Sequence, residues 1–197
     1  LTDCSDSGRV QGGVLVNGGK FELYSGTITG GVQVGKKSAD YKTGSSFTMY
    51  GGAITGNEDY GGVFLVGTTN HTNPPSFTMH GGTISDNTAG ASDGGGGGVY
   101  VGEKCSFTMD GGTITDNTAT NGGGIYIHFN AGTVSISNAT ITSNKASATG
   151  NTSYGHGGGI YSERGVTVEN VTITGNNSTF EGGGIYGKGA ITLTDAT

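Results

Sequence analysis

Residues 106–126 read Ser106-Phe107-Thr108-Met109-Asp110-Gly111-Gly112-Thr113-Ile114-Thr115-Asp116-Asn117-Thr118-Ala119-Thr120-Asn121-Gly122-Gly123-Gly124-Ile125-Tyr126, and this stretch decides the fold. Phe107 and Met109 alternate with polar neighbours at the two-residue period of a strand. Ile114 stands between two threonines, Asn117 follows it, and a glycine run delivers Ile125-Tyr126. The same order returns along the chain. Ile84-Ser85-Asp86-Asn87 leads to Gly98-Val99-Tyr100, and Ile141-Thr142-Ser143-Asn144 leads to Gly159-Ile160-Tyr161. Ile173-Thr174-Gly175-Asn176 precedes Gly184-Ile185-Tyr186, and a looser Ile54-Thr55-Gly56-Asn57 precedes Gly62-Val63-Phe64. Self-similarity at one unit per roughly 25–35 residues is the signature of a solenoid.

Aligning the units gives about seven coils of three short strands. The first strand puts Val14, Val32, Val63, Val99, Ile125, Ile160 and Ile185 inward, with Leu15, Gln33, Phe64, Tyr100, Tyr126, Tyr161 and Tyr186 outward. The second turns pairs such as Phe47/Met49, Phe77/Met79, Phe107/Met109 and Val134/Ile136 inward. The third is Thr-Ile-Thr, with Ile28, Ile54, Ile84, Ile114, Ile141 and Ile173 inward. A single coil cannot bury its apolar face, and stacking does it for all of them. Parallel in-register pairing sets like above like, so Asn57, Asn87, Asn117, Asn144 and Asn176 form a column at a turn. Asn suits a left-handed turn conformation, and stacked amides hydrogen-bond along a column. Extra residues gather at 35–45, 67–76, 88–96 and 145–156, which read as loops on set turns.

Composition agrees with this picture and excludes others. Glycine is 43 of 197 residues, against a usual share of about 7%, and it sits at fixed offsets between apolar strands. The formal charge is −6 and no basic stripe exists, so nucleic acid and anionic membrane surfaces are poor partners. No apolar run approaches the roughly 20 residues of a membrane span. Cys4 and Cys105 fall on coils about four apart, roughly 19 Å at 4.8 Å per coil, too far for a disulfide. Residues 1–197 read as one solenoid segment, and the pattern running on to Thr194 suggests a segment cut from a longer protein.

The Ile-x-x-Asn … Gly-Gly-Gly-Ile-Tyr arrangement resembles the right-handed parallel β-helices of the pectate-lyase-like superfold. It is similar to the paired GGA[ILV] and FxxN motifs of chlamydial polymorphic outer-membrane protein passengers. Gly51-Gly52-Ala53-Ile54 matches the first motif, although at the third strand, and Ile replaces Phe in the second. Ser-Phe-Thr-Met-x-Gly-Gly-Thr-Ile also resembles large repetitive surface proteins of anaerobic bacteria. The resemblance spans residues 12–194. It implies an all-β, single-stranded right-handed parallel β-helix solenoid and a bacterial, extracellular or cell-surface, adhesin-like region.

No catalytic residues are assigned. Among the polysaccharide-cleaving enzymes that the resemblance brings in, the hydrolases need paired carboxylates across the scissile bond and the lyases use calcium-binding acids with Arg or Lys; the outward stripe of the first strand carries no carboxylate. Asp86 and Asp116 occupy equivalent places on neighbouring coils. Like charges so close would raise one pKa or hold a cation, and calcium suits oxygen ligands; two carboxylates leave such a site incomplete. No other cofactor is expected. Glu103-Lys104, His128, Glu163-Arg164 and Lys188 follow the first strand on successive coils and read as a solvated rim. His71, His80 and His156 lack zinc-ligand spacing. The aromatic column Phe64, Tyr100, Tyr126, Tyr161 and Tyr186 is the candidate binding face, for a glycan or a protein of a host or neighbouring cell. Mutual stacking that stiffens the sheet is the alternative role.

Three functions follow from this reading. The first is a non-catalytic adhesin-like rod or stalk, with unpaired end strands open to end-to-end self-association. The second is a polysaccharide lyase or glycoside hydrolase, whole or in part. The third is an ice-binding protein using the outward threonine ranks, which Ala53 and Ser85 interrupt.

Overall fold

Thr108 stands between Thr78 on one side and Ser135 on the other, each neighbour a whole coil away in sequence. Among the described residues every pairing between strands is of this kind, parallel and in register with the equivalent strand of the adjacent coil, and an isolated bridge between Tyr60 and Ala89 is antiparallel. The computed structural model describes residues 13–36, 44–70, 72–90, 95–148 and 154–197. Cys4, His71 and much of the expected loops lie outside these residues. The described chain is an all-β parallel solenoid without helices.

Three sheets run its length. The first has seven strands, from Val14–Val16 through Val99–Val101 to Ile185–Gly187. The second also has seven, from Lys20–Leu23 to Ile191–Thr194, and the third has six, from Thr27–Thr29 to Thr172–Thr174. All the inward columns read from the sequence stack as expected. Val63, Val99, Ile125, Ile54, Ile84 and Ile114 are fully buried. The rings of Phe47, Phe77 and Phe107 stack inside the core, with centroids 4.7 and 5.3 Å apart. Cys105 is a free thiol in this core, and burial pushes its pKa up to about 12.

A fourth, small sheet runs Thr118–Ala119, Lys145–Ala146 and Asn177–Ser178. It lies directly after the asparagine column, where the sequence reading places only loop. Its signature is Asn-x-Ala: Ala119 and Ala146 turn inward and are buried, as is Ala89. Two residues are too few to show a strand period, so the signal resides in the repeated alanine alone.

The asparagine column differs from expectation in its cause. The asparagines do not occupy the left-handed conformation; the residue before each one does. Asp86, Asp116 and Ser143 have φ of 55, 55 and 56°, and Gly56 and Gly175 hold the same place. This turn throws the asparagine side chain inward, where Asn87, Asn117 and Asn144 are fully buried. Each backbone N–H donates to the side-chain oxygen of the next coil's asparagine: Asn87 to Asn117 and Asn117 to Asn144, both at 3.1 Å. Each Nδ2 donates to that same oxygen at 2.9–3.0 Å and to the previous coil's isoleucine carbonyl. Buried amides are tolerated only when so fully bonded.

The corner between second and third strands changes along the rod. In the methionine coils its second residue is a glycine at positive φ, such as Gly112 at 87°, where a Cβ would meet Met79 Cε at 2.6 Å. Beyond residue 137 the first residue of the pair is left-handed instead: Asn138 at 50° and Asn170 at 51°. The second, Ala139 or Val171, is then buried. It fills the corner that Met Cε reaches in the other coils and that the shorter side chains of Ile136 and Val168 do not, which keeps the core filled.

Candidate functional site: the aromatic sheet face and its rim

The first strands carry the aromatic column outward, one ring per coil. Phe64, Tyr100, Tyr126, Tyr161 and Tyr186 stack in order, with centroids 4.7, 5.1, 5.1 and 5.4 Å apart. An outward position predicts an open stripe. Instead Phe64, Tyr100, Tyr126 and Tyr186 are half-buried and Tyr161 is only 3% exposed. The glycine run before the strand lies against the column: a Cβ on Gly95 would stand 2.6 Å from Tyr126 Cδ2. The His156 ring sits 4.6 Å from that of Tyr186, and Lys188 Nζ lies 5.5 Å from the Tyr161 centroid. Face-to-face stacking along the axis spends the ring faces on each other. What an interior tyrosine offers a ligand is its edge and its hydroxyl.

Those hydroxyls enter a polar rim at the end of the first strand. Tyr126 donates to Glu163, and burial together with that carboxylate's charge raises the Tyr126 pKa. Burial alone would raise Glu163 as well. Hydrogen bonds from Lys188 and Tyr126, the Lys188 charge and the Phe129 N–H outweigh it, so its pKa is lowered. Lys188 Nζ is 3.1 Å from Glu163 Oε1, and Phe129 N donates to Glu163 Oε2 at 3.3 Å. Hydrogen bonds to the Tyr161 hydroxyl and to Glu163 raise Lys188.

The other rim residues divide. Asn130 Nδ2 donates to Glu103 Oε1 at 2.7 Å, and its backbone N–H to His128 Nδ1 at 3.2 Å. Arg164 turns away and donates through Nη1 to the carbonyls of Ala131 and Gly132. Lys104 occupies a left-handed turn at φ 62°. Phe129 escaped the sequence reading. It is 65% exposed and packs on His128 at 4.3 Å. It interrupts no periodic pattern, so only the turn geometry reveals it.

Asp86 and Asp116 lie where the sequence places them, exposed on adjacent coils. Their positive φ gives them a backbone task, and Thr115 Oγ1 donates to Asp116 Oδ2 at 2.7 Å. Among the described residues no group of three or more His, Cys, Asp or Glu side chains gathers to hold a metal. His156 Nδ1 is 3.8 Å from Glu181, and His80 belongs elsewhere.

A second outward column stands at the corner after the second strand, and the sequence reading overlooked it. Tyr24 stacks on Tyr50 at 4.7 Å, Tyr50 on His80 at 5.1 Å, and His80 Nδ1 reaches Asp110 Oδ1 at 2.7 Å. Tyr24 and Tyr50 are 65% and 44% exposed, more open than any ring of the first column. The available signal was the residue after each Leu/Met-ended strand: Tyr, Tyr, His, Asp. On the third sheet the outward threonines form ranks, Thr113 beside Thr140 and Thr115 beside Thr142.

No protein-family model, curated protein or solved structure matches this chain. What it does is therefore argued from its own residues.

Proposed function

We propose that this protein is a non-catalytic, adhesin-like β-solenoid of a bacterial surface or secreted protein, a rod that attaches to a glycan or protein ligand. One observation carries the reading: the carboxylates bordering the aromatic face are already partnered. Glu163 is held by Lys188, Tyr126 and Phe129 N, and Glu103 by Asn130. A glycosidase acid pair needs one carboxyl kept protonated and one free to attack or activate water. A carboxyl whose pKa is lowered by its neighbours suits the first of these roles poorly. Ladders of aromatic edges, hydroxyls and threonines on a stiff scaffold instead suit recognition by many weak contacts.

End-to-end stacking of copies belongs to the same reading. Unpaired strand edges at the end of a solenoid are templates for pairing with another chain.

The test is a glycan array probed with the wild-type protein and with Tyr126→Phe/Tyr161→Phe. That pair keeps the stack and removes the hydroxyls. Selective binding weakened in the variant supports attachment through the face. Hydrolysis or elimination products released from a panel of polysaccharides would overturn the non-catalytic reading.

A further inference from the structure

The second outward column holds its tyrosines differently from the first. Leu23 and Met49 are register partners, so the residues that follow them, Tyr24 and Tyr50, leave adjacent coils side by side. The Tyr50 N–H donates to Leu23 O at 2.8 Å and fixes that corner. The two rings stack with centroids 4.7 Å apart and planes 12° from parallel. Ser25-Gly26 and Gly51-Gly52 come next and bring no large side chain over them. Both rings are exposed.

Among the described residues three other tyrosine pairs stack: Tyr100 on Tyr126, Tyr126 on Tyr161 and Tyr161 on Tyr186, with centroids 5.1, 5.1 and 5.4 Å apart. Those rings are half-buried or buried. The Tyr126 hydroxyl is tied to Glu163 and that of Tyr161 to Lys188, so neither ring pivots freely. Tyr24 and Tyr50 are therefore the closest of these pairs and the one with both rings in solvent. On its other side Tyr50 meets His80 at 5.1 Å, itself bonded to Asp110, which leaves Tyr24 as its one phenol neighbour in the column.

We infer that Tyr24 and Tyr50 are a modification site, at which a peroxidase using hydrogen peroxide couples the two rings into a dityrosine that staples adjacent coils. Each phenol gives up one electron and its hydroxyl proton and becomes a phenoxyl radical, with spin on the carbons ortho to the oxygen. One ortho carbon of each ring joins the other in a new carbon–carbon bond. The hydrogen on each joined carbon then leaves as a proton while a proton returns to each oxygen, restoring two phenols. The pair has lost two hydrogen atoms in all, and one peroxide molecule has been reduced to two waters. Parallel strands keep the two backbones about 4.8 Å apart, within the span of a joined pair of rings. The torsion that turns a tyrosine ring is broad, so exposed rings can swing from face-to-face to edge-to-edge. Holding the partners in register makes the coupling intramolecular. The bond closes a loop of one coil and restricts the unfolded chain. It asks nothing of the attachment reading.

The test treats the full chain, dilute and at neutral pH, with a haem peroxidase and a limiting amount of hydrogen peroxide, and maps the peptides by mass spectrometry. The expected product is a monomer that has lost two hydrogen atoms, fluoresces as dityrosine, and yields one joined peptide linking Tyr24 to Tyr50. Its urea midpoint lies above that of the untreated protein. Tyr24→Phe and Tyr50→Phe keep the stack but form no phenoxyl there, and each abolishes the link. Tyr126→Phe leaves its yield unchanged. In concentrated urea the preference for this pair disappears. The inference is overturned by absence of the Tyr24–Tyr50 link in the folded protein, by a link between copies or to another tyrosine as the main product, by an equal yield in urea, or by an unchanged midpoint in the linked protein.

Discussion

Two columns climb the same five coils: Asn57 to Asn176 inside, Phe64 to Tyr186 outside. Both place one side chain per coil at the same axial step, and both stack like on like. They differ in what they demand. An amide in the inner column must find its donor and acceptor at fixed angles in a dry interior. The outer rings ask only for a flat neighbour at about 5 Å, and at their N-terminal end Gln33 takes the next place without disturbing the sheet. The inner column therefore dictates where coils sit; the outer one takes advantage of where they sit.

The largest effect is expected inside. Asn117→Ala removes a residue bonded to Asn87, Asn144 and the Ile84 carbonyl. Leaving those groups unsatisfied costs on the order of 3 kcal/mol, read as a lower urea midpoint at unchanged slope. A loss below about 1 kcal/mol would abolish the distinction between the columns. Next comes Tyr126→Ala, which breaks two stacking contacts on a half-buried face and is expected to cost about 1–2 kcal/mol. If it exceeds Asn117→Ala, the roles are reversed.

Much of this was legible in the sequence, and the reasons are local. Val99, Tyr100 and Val101 announce their directions by alternation alone, and in-register stacking then fixes all seven strands. Asn117 was legible as a ladder member but not as an inward one, because inwardness depends on Asp116 adopting φ 55°. The coils two steps away on either side carry Gly56 and Gly175 at that place, which is the trace the sequence holds of a left-handed residue. The partial covering of the tyrosine face was not legible, since it depends on how the Gly95 backbone folds back.

A third test compares acid sensitivity of the two columns. The Glu163 carboxyl beside the tyrosines has a pKa held below its ordinary value of 4.5. Its contribution to stability is complete above that value and is lost as pH falls through the lowered folded pKa. Wild type is expected to lose stability over that window, and Glu163→Gln to lose less, by an amount smaller than either ladder substitution. Asn117→Ala, which touches no titrating group in the inner column, should shift the whole curve without changing its slope. Thermal melts from pH 6 to pH 3 distinguish these outcomes.

The smallest effect concerns the turn that feeds the inner column. Asp116→Gly suits positive φ, and its gain is offset by added freedom in the unfolded chain; the change is expected to stay within about 0.5 kcal/mol. Asp116→Val, β-branched in a left-handed position, costs more. A rise in melting temperature with added calcium that disappears in Asp116→Gly would show instead that Asp86 and Asp116 hold an ion.

The inner asparagines are separated by 30, 30, 27 and 32 residues, yet at every step a backbone N–H donates to the next asparagine's side-chain oxygen. Each coil touches only its neighbours. Excision of residues 87–116 would join Asp86 to Asn117 and leave a rod one coil shorter, with the same cross-section and an unbroken amide column. Gene segments of about this size can thus be duplicated or dropped without the fold being reinvented. Length becomes a heritable setting, adjusted in steps of one coil by recombination alone.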